Sequence, residues 1–198
     1  MNLARTLSVV LLISVSAIII SCGSSNDTYY PKPRGFFRID LPEKNYVVFD
    51  SVYPFEFRIP VNASVVPVES PEAGSIWFNL LLPAYDGSVS FSYKPVHDNL
   101  YQLTEDARIF ANKHIAKANE IKEIRVSHPN NKVYGLIYDI EGTNSASPYQ
   151  FYLTDSTHHY IRGAVYFNYI PNNDSIAPII QRVKEDMDTL MGSLKWKN

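Results

Sequence analysis

The chain has 198 residues, of which 45% are hydrophobic and 13% aromatic, with 18 basic against 20 acidic side chains and one cysteine. That balance excludes a basic nucleic-acid binder and a protein held to anionic surfaces by charge alone. A single cysteine excludes an internal disulfide, and the 14 tyrosines and 10 phenylalanines supply a core that needs neither disulfide nor metal.

The chain begins MNLARTLSVVLLISVSAIIISC. Arg5 gives a positive start, and Leu7 to Ile20 is an apolar run too short to span a bilayer, which takes about 20 residues. Its length and flanks fit the apolar region of a secretory signal. It ends Ile19-Ile20-Ser21-Cys22, apolar residues and a small residue before cysteine, which resembles a bacterial lipobox. Cleavage before Cys22 and acylation of its sulfur would account for the lone thiol of an exported protein. A plain signal peptide with an incidental cysteine and an uncleaved anchor are the alternatives. Removing residues 1–21 leaves 177, a tether and one domain, with a net charge of −3 because Arg5 is the only charge lost. The expected organisation is a lipoprotein signal at 1–21, a lipidated extended tether at 22–45 and a single domain at 46–198.

In the tether, Gly23-Ser24-Ser25-Asn26-Asp27 is a flexible polar exit, and Pro31, Pro33 and Pro42 block helix. From Tyr46 the pattern becomes short strands, at Tyr46–Asp50, Pro54–Ile59 and Ala63–Val68. Ser75–Leu82 is apolar on both faces, which predicts a central strand covered on both sides. Ala84-Tyr85-Asp86-Gly87 carries the Asp-Gly signature of a hairpin. Ser88–Lys94 alternates strictly, with Val89, Phe91 and Tyr93 on one face and Ser88, Ser90, Ser92 and Lys94 on the other.

Asp98 or Asn99 can cap a helix running to about Lys122, with Leu100, Leu103, Ala107, Phe110, His114, Ala118 and Ile121 on its packed face. Strands follow at Glu123–Ser127, Lys132–Glu141, Pro148–Thr154 and His159–Tyr169. After Pro171-Asn172-Asn173-Asp174 comes a second helix with Pro178 in its first turn. Its stripe is Ile176, Ile179, Ile180, Val183, Met187, Leu190, Met191 and Leu194. Trp196 is placed to pack back on the sheet. This order predicts an α+β fold: an antiparallel β-sheet covered by two amphipathic helices, resembling the PsbP/Mog1-like sandwiches in element order.

Reactive constellations are sparse. His97, His114, His128, His158 and His159 show no i, i+4 pair, and neither an HExxH nor a cysteine cluster is present. His158 and His159 read as hairpin residues on opposite faces, and His114 as a helix-boundary histidine. There is no GxSxG elbow. Asp139 and Glu141 share a strand face and read as solvated. Scattered single glycines make no phosphate loop. No catalytic, cofactor-binding or metal-ligating residue is assigned.

The stretch YYPKPRGFFRIDLPEKNY, residues 29–46, holds five aromatics, three prolines and four basic residues. Aromatic side chains bury about 150–250 Å² each and are costly to leave wet, so Phe36, Phe37 and Ile39 are expected to pack on the domain. Tyr29, Tyr30, Lys32 and Arg34 lie nearer the membrane and are candidates for a partner surface. This stretch resembles the N-terminal signature of the gliding motility lipoprotein D family of gliding Bacteroidetes. YIRGAVYFNYIPNNDSIAPII resembles a late block of that family, which adds Arg162 to the candidates. Arg34, Gly35 and Phe36, and Arg162, Gly163, Tyr166, Phe167 and Asn168, match family blocks.

The resemblance implies a non-enzymatic outer-membrane lipoprotein required for gliding. It would support assembly or stability of machinery shared with type IX protein secretion. Its implied partners are the membrane, through lipid on Cys22, and envelope proteins, with no nucleic acid and no metal. Residues 23–27 are not the acidic cluster that marks surface export in such proteins, so the periplasmic face is expected. The alternative is a periplasmic small-ligand or glycan-binding lipoprotein, possibly hydrolytic, suggested by the many tyrosines.

Overall fold

The computed structural model describes residues 39–70 and 72–197. The chain divides into two compact units, Met1–Gly35 and Phe36–Asn198, and the second contains every described residue. Phe36, Phe37, Cys22, Tyr29, Tyr30, Lys32 and Arg34 lie outside the described residues.

Among the described residues, ten strands and two helices follow in order: β1 (Tyr46–Phe49), β2 (Phe55–Pro60), β3 (Ser64–Val68), β4 (Ile76–Leu82), β5 (Gly87–Pro95), α1 (Leu100–Asn112), β6 (Glu120–His128), β7 (Val133–Glu141), β8 (Tyr149–Thr154), β9 (His159–Phe167), α2 (Ala177–Ser193) and β10 (Lys195–Trp196). Seven strands form one antiparallel sheet in the order β3-β4-β5-β9-β8-β7-β6, and β1-β2-β10 form a small second sheet. The fold class is therefore α+β with antiparallel sheets and two helices, as the alternating strands and helical stripes imply.

One face of the large sheet is the core. Phe78, Leu80, Val89, Phe91, Phe151, Leu153, Ile161 and Val165 point into it, because period-2 strands send alternate residues to one side. They meet Phe55, Phe57 and Ile59 from β2 and Val183, Met187, Leu190, Met191 and Leu194 from the end of the chain. Phe78 and Phe91 stack at 4.7 Å between ring centroids. On the opposite face, α1 buries Ala107 and Ala111 against Tyr138 and Ile140 of β7.

The lead-in to β1 is fastened along α2. Arg182 donates to the carbonyl of Pro42, Lys44 pairs with Glu185 at 2.7 Å, and the Tyr46 hydroxyl donates to Asp186 at 2.7 Å. Ascending residues of the lead-in meet ascending residues of the helix, so the chain enters from the N-terminal end of α2.

Two expectations need correction. The first helix does not run to Lys122. It ends at Asn112, a 3₁₀ turn occupies Ile115–Lys117, and β6 begins at Glu120. Pairing of Glu120, Ile121 and Lys122 with Glu141, Ile140 and Asp139 takes those residues into the sheet, overriding their helical spacing. Strand β4 is not central: it lies one in from the β3 edge, and α1 packs over β7, β8 and β9 instead, leaving Leu81 exposed. The turn at residues 83–86 closes β4 and β5 into the expected antiparallel hairpin. Pro83–Tyr85 form a 3₁₀ turn, and Asp86 itself, not the glycine, takes the left-handed conformation at φ 45°.

Candidate interaction surface

Arg162 sits on β9, on the face turned away from the core, with Ser92 of β5 on one side and Tyr152 of β8 on the other. Its row continues through Ser92 to Trp77 of β4 and Val68 of β3. The guanidinium donates to Gln150 Oε1 at 2.6 Å and lies over the Phe110 ring of α1, 4.7 Å from its centroid. Burial lowers its pKa, although a guanidinium stays charged at any physiological pH. Among the described residues no carboxylate forms an ion pair with it.

A half-buried cation without an opposing charge is costly to hold, and this one is kept in place by a planar amide and an aromatic ring. Around it lie polar groups with spare hydrogen-bonding capacity. Ser90 donates to Asn79 at 2.9 Å, and the indole Nε1 of Trp77 is buried with no hydrogen-bond partner among the described residues. Burial also lowers the pKa of His114, beyond α1, helped by the positive charges of Arg162 and Lys117. The result is an open half-sheet of Trp77, Asn79, Ser90, Ser92 and Tyr166 centred on a fixed cation. It is a face and not a pocket.

A second cluster lies at the β8–β9 hairpin. His159 stacks on Trp196 at 5.1 Å with planes 6° apart, and its Nδ1 shares a hydrogen bond with the Tyr93 hydroxyl at 2.9 Å. The Trp196 indole donates to the carbonyl of Lys132 at 3.1 Å. Sequence reasoning placed Trp196 against the sheet but missed β10 and this stack, since two residues give no periodicity. A depression of about 480 Å³ here is lined in part by Asp155, His158, His159 and Trp196. Burial raises the pKa of Asp155, but backbone N–H groups of His159, Thr157 and His158 and the Thr157 hydroxyl outweigh it and hold the carboxyl well below its usual range. That carboxylate is committed to closing the hairpin and is not poised as a base. Asp139 is half-buried and paired with Lys184 at 2.6 Å, and Glu141 pairs with Lys122. Glu141 is solvated as expected, whereas Asp139 is drawn into a partly buried ion pair.

The sequence profile of gliding motility lipoprotein GldD matches residues 26–196. The chain belongs to the GldD family. No curated protein matches it. A solved structure similar to this chain is the solution structure of cyanobacterial PsbP (CyanoP) from Synechocystis sp. PCC 6803, at 15% identity and a TM-score of 0.49, covering 89% of this chain and 99% of that one. Membership of the GldD family makes the chain a gliding motility lipoprotein, with a lipid anchor and a membrane-attached location. Within the described family block, Arg162 is at the open face, Tyr166 is exposed four residues further on the same strand face, and Asn168 donates to Asp86 at 3.0 Å across the neighbouring turn. Gly163 and Phe167 belong to the core side.

Proposed function

We propose that this protein is a non-enzymatic outer-membrane lipoprotein, acylated on Cys22 and facing the periplasm, that supports assembly or stability of the gliding and type IX secretion machinery by contact. The family match over residues 26–196 carries this reading. The lone cysteine at the end of the apolar run supports the anchor, and the uncompensated Arg162 on an open half-sheet supports a protein partner. In this reading Tyr29, Tyr30, Lys32 and Arg34 contribute contacts close to the membrane, and Arg162 contributes one on the domain.

The test is to delete the gene, restore it as wild type, Cys22→Ser or Arg162→Gln, and score colony spreading, secretion and envelope proteins that co-purify. Loss of spreading on deletion, rescue by wild type only, and loss of co-purifying partners in Arg162→Gln are expected. Normal spreading after deletion, or a wild-type protein that brings down no envelope protein, would defeat the proposal.

A further inference from the structure

The loops at the end of the domain where the lead-in enters carry an unpartnered apolar patch. Ile170 is 89% exposed and Ile115 is 61% exposed. Ile170 lines a depression of about 500 Å³ together with Ala116, Lys117, Ala118, Asn119 and Pro171. A second, smaller depression adjoins it through Ala118 and Asn119 and adds Ile115 and Ile121. Backbone bonds hold this end together: Asn119 N–H to Glu141 O at 2.7 Å, and Asn173 N–H to Thr143 O at 2.9 Å. The loops are thus a fixed platform presenting bare isoleucines. Lys113 and Lys117 are exposed beside them. The acids at the same end are Asp174, which accepts from Thr143, Asp86, which accepts from Asn168, and Glu120 and Glu141, which share Lys122 at 3.6 and 2.5 Å.

The route of the chain says what covers this patch. Pro42 is level with Arg182, and Lys44 with Glu185. From Pro42 back to Ile39 an extended chain advances about 10 Å, and from Arg182 back to Ala177 a helix advances about 7.5 Å. Continued along the helix in this direction, the lead-in runs toward the first turn of α2, at the end where the 170–176 segment leads into that helix. Seventeen Cα–Cα steps lead from Cys22 to Ile39, which limits the reach between lipid and domain to about 60 Å. With Cys22 acylated, the tether would join the domain at the end that carries Ile115 and Ile170.

We propose that this end docks on the phospholipid surface, with Ile115 and Ile170 inserted at the level of the headgroups and Lys113 and Lys117 against lipid phosphates. The inference rests on the lipoprotein reading and adds an orientation to it: the domain lies on the membrane instead of swinging on its tether. Exposed apolar side chains flanked by lysines are the composition that interfacial binding uses. Val52, 98% exposed, is not part of the patch. It lies near Lys197, which bonds Ser51, at the opposite end of α2.

The test uses full-length acylated protein in vesicles of phosphatidylethanolamine and phosphatidylglycerol. Cys22 is the only native cysteine and its sulfur is blocked by lipid, so Ala116→Cys and Val52→Cys each give a single labelling site for an environment-sensitive fluorophore. The expected result is a dry, lipid-quenched signal at position 116 and a wet one at 52. Ile115→Ser/Ile170→Ser should lower the docked-to-undocked ratio by about a hundredfold, from the transfer value of two such side chains, while the protein stays vesicle-bound. Equally wet signals at both positions on vesicle-bound protein overturn the docking and leave the anchor standing. Protein that remains free of the vesicles overturns the anchor and the docking together. A signal that is wet in vesicles but dry in native membranes shows a protein partner on the patch and also overturns the docking.

Discussion

Replacing Gly163 by alanine tests whether the late family block keeps the fold or makes a contact. Gly163 lies on β9 facing the core, and a Cβ built there would stand 2.4, 2.7 and 2.9 Å from three carbons of the Phe151 ring. Ordinary van der Waals contact begins at 3.4 Å, so the ring would have to withdraw by about 1 Å. It has nowhere to go. Phe151 is 1% exposed, its edge meets Phe91 at 5.9 Å, and Tyr149 lies 6.4 Å away. Overpacking of this kind costs about 1–3 kcal/mol, and the rigidity of the ring puts the expected loss near 3. In a domain of this size that lowers Tm by about 6–12 °C, measurable by calorimetry or by the midpoint of urea unfolding. Phe151→Leu should relieve the clash, so the double variant should be more stable than the sum of the single losses by at least about 1 kcal/mol. Cells carrying Gly163→Ala should lose spreading only as far as the protein's abundance falls. A Gly163→Ala protein melting within about 1 °C of wild type, or strict additivity with Phe151→Leu, would refute the packing argument.

Arg162→Gln should leave the Gln150 carbonyl without its donor and cost no more than about 1–2 kcal/mol, while partner co-purification is lost at normal abundance; thermal melts and pull-downs on one preparation separate the two effects. Cys22→Ser should move the protein from the membrane pellet to the soluble fraction on ultracentrifugation. Tyr46→Phe removes the donor to the buried Asp186 carboxylate and should destabilise by about 1–3 kcal/mol in urea. Burial lowers the pKa of His159, against the pull of Asp155, and lowers that of His114. The unfolded histidines take up protons near pH 6.5, before the folded ones do, so stability should fall as pH drops below about 6.5 and level off once the folded imidazoles are also protonated. His159→Gln should shrink that acid-side loss in a pH series of denaturant melts.

Strand existence was legible because the core side chains repeat strictly every second residue, as in Val89, Phe91 and Tyr93, which are all buried. The α2 stripe was legible for the same reason at helical period. Sequence reasoning failed where two patterns competed. Ala118 and Ile121 continue the α1 spacing, yet they pack beside it from the turn and from β6, because edge pairing with β7 supplies backbone hydrogen bonds that a longer helix would forgo. The two-sided apolarity of β4 marked a strand correctly but not its neighbours. Leu81 is exposed and Trp77 only half-buried, since α1 packs on the β7–β9 half. Arg162 could be named from its family block. That it is gripped by Phe110 and Gln150 could not, because the partners are 52 and 12 residues away and meet only through the register of the sheet.

The two proposed surfaces are mechanically linked through α1. Phe110, which holds the Arg162 guanidinium, is five residues before Ile115, so the two surfaces are separated by little more than one helical turn of about 5.4 Å and a 3₁₀ turn. With Ile115 on the bilayer, the open half-sheet stands beside the membrane and not over it. A partner meeting Arg162 would then be a membrane-embedded or membrane-lying protein approaching from the side. Docking also shrinks the volume searched by the domain from a sphere set by the tether to a layer, which raises the effective concentration for such a partner without any new contact. Loss of Ile115 and Ile170 should therefore weaken assembly even though neither residue touches the partner, whereas loss of Arg162 should weaken it at unchanged docking.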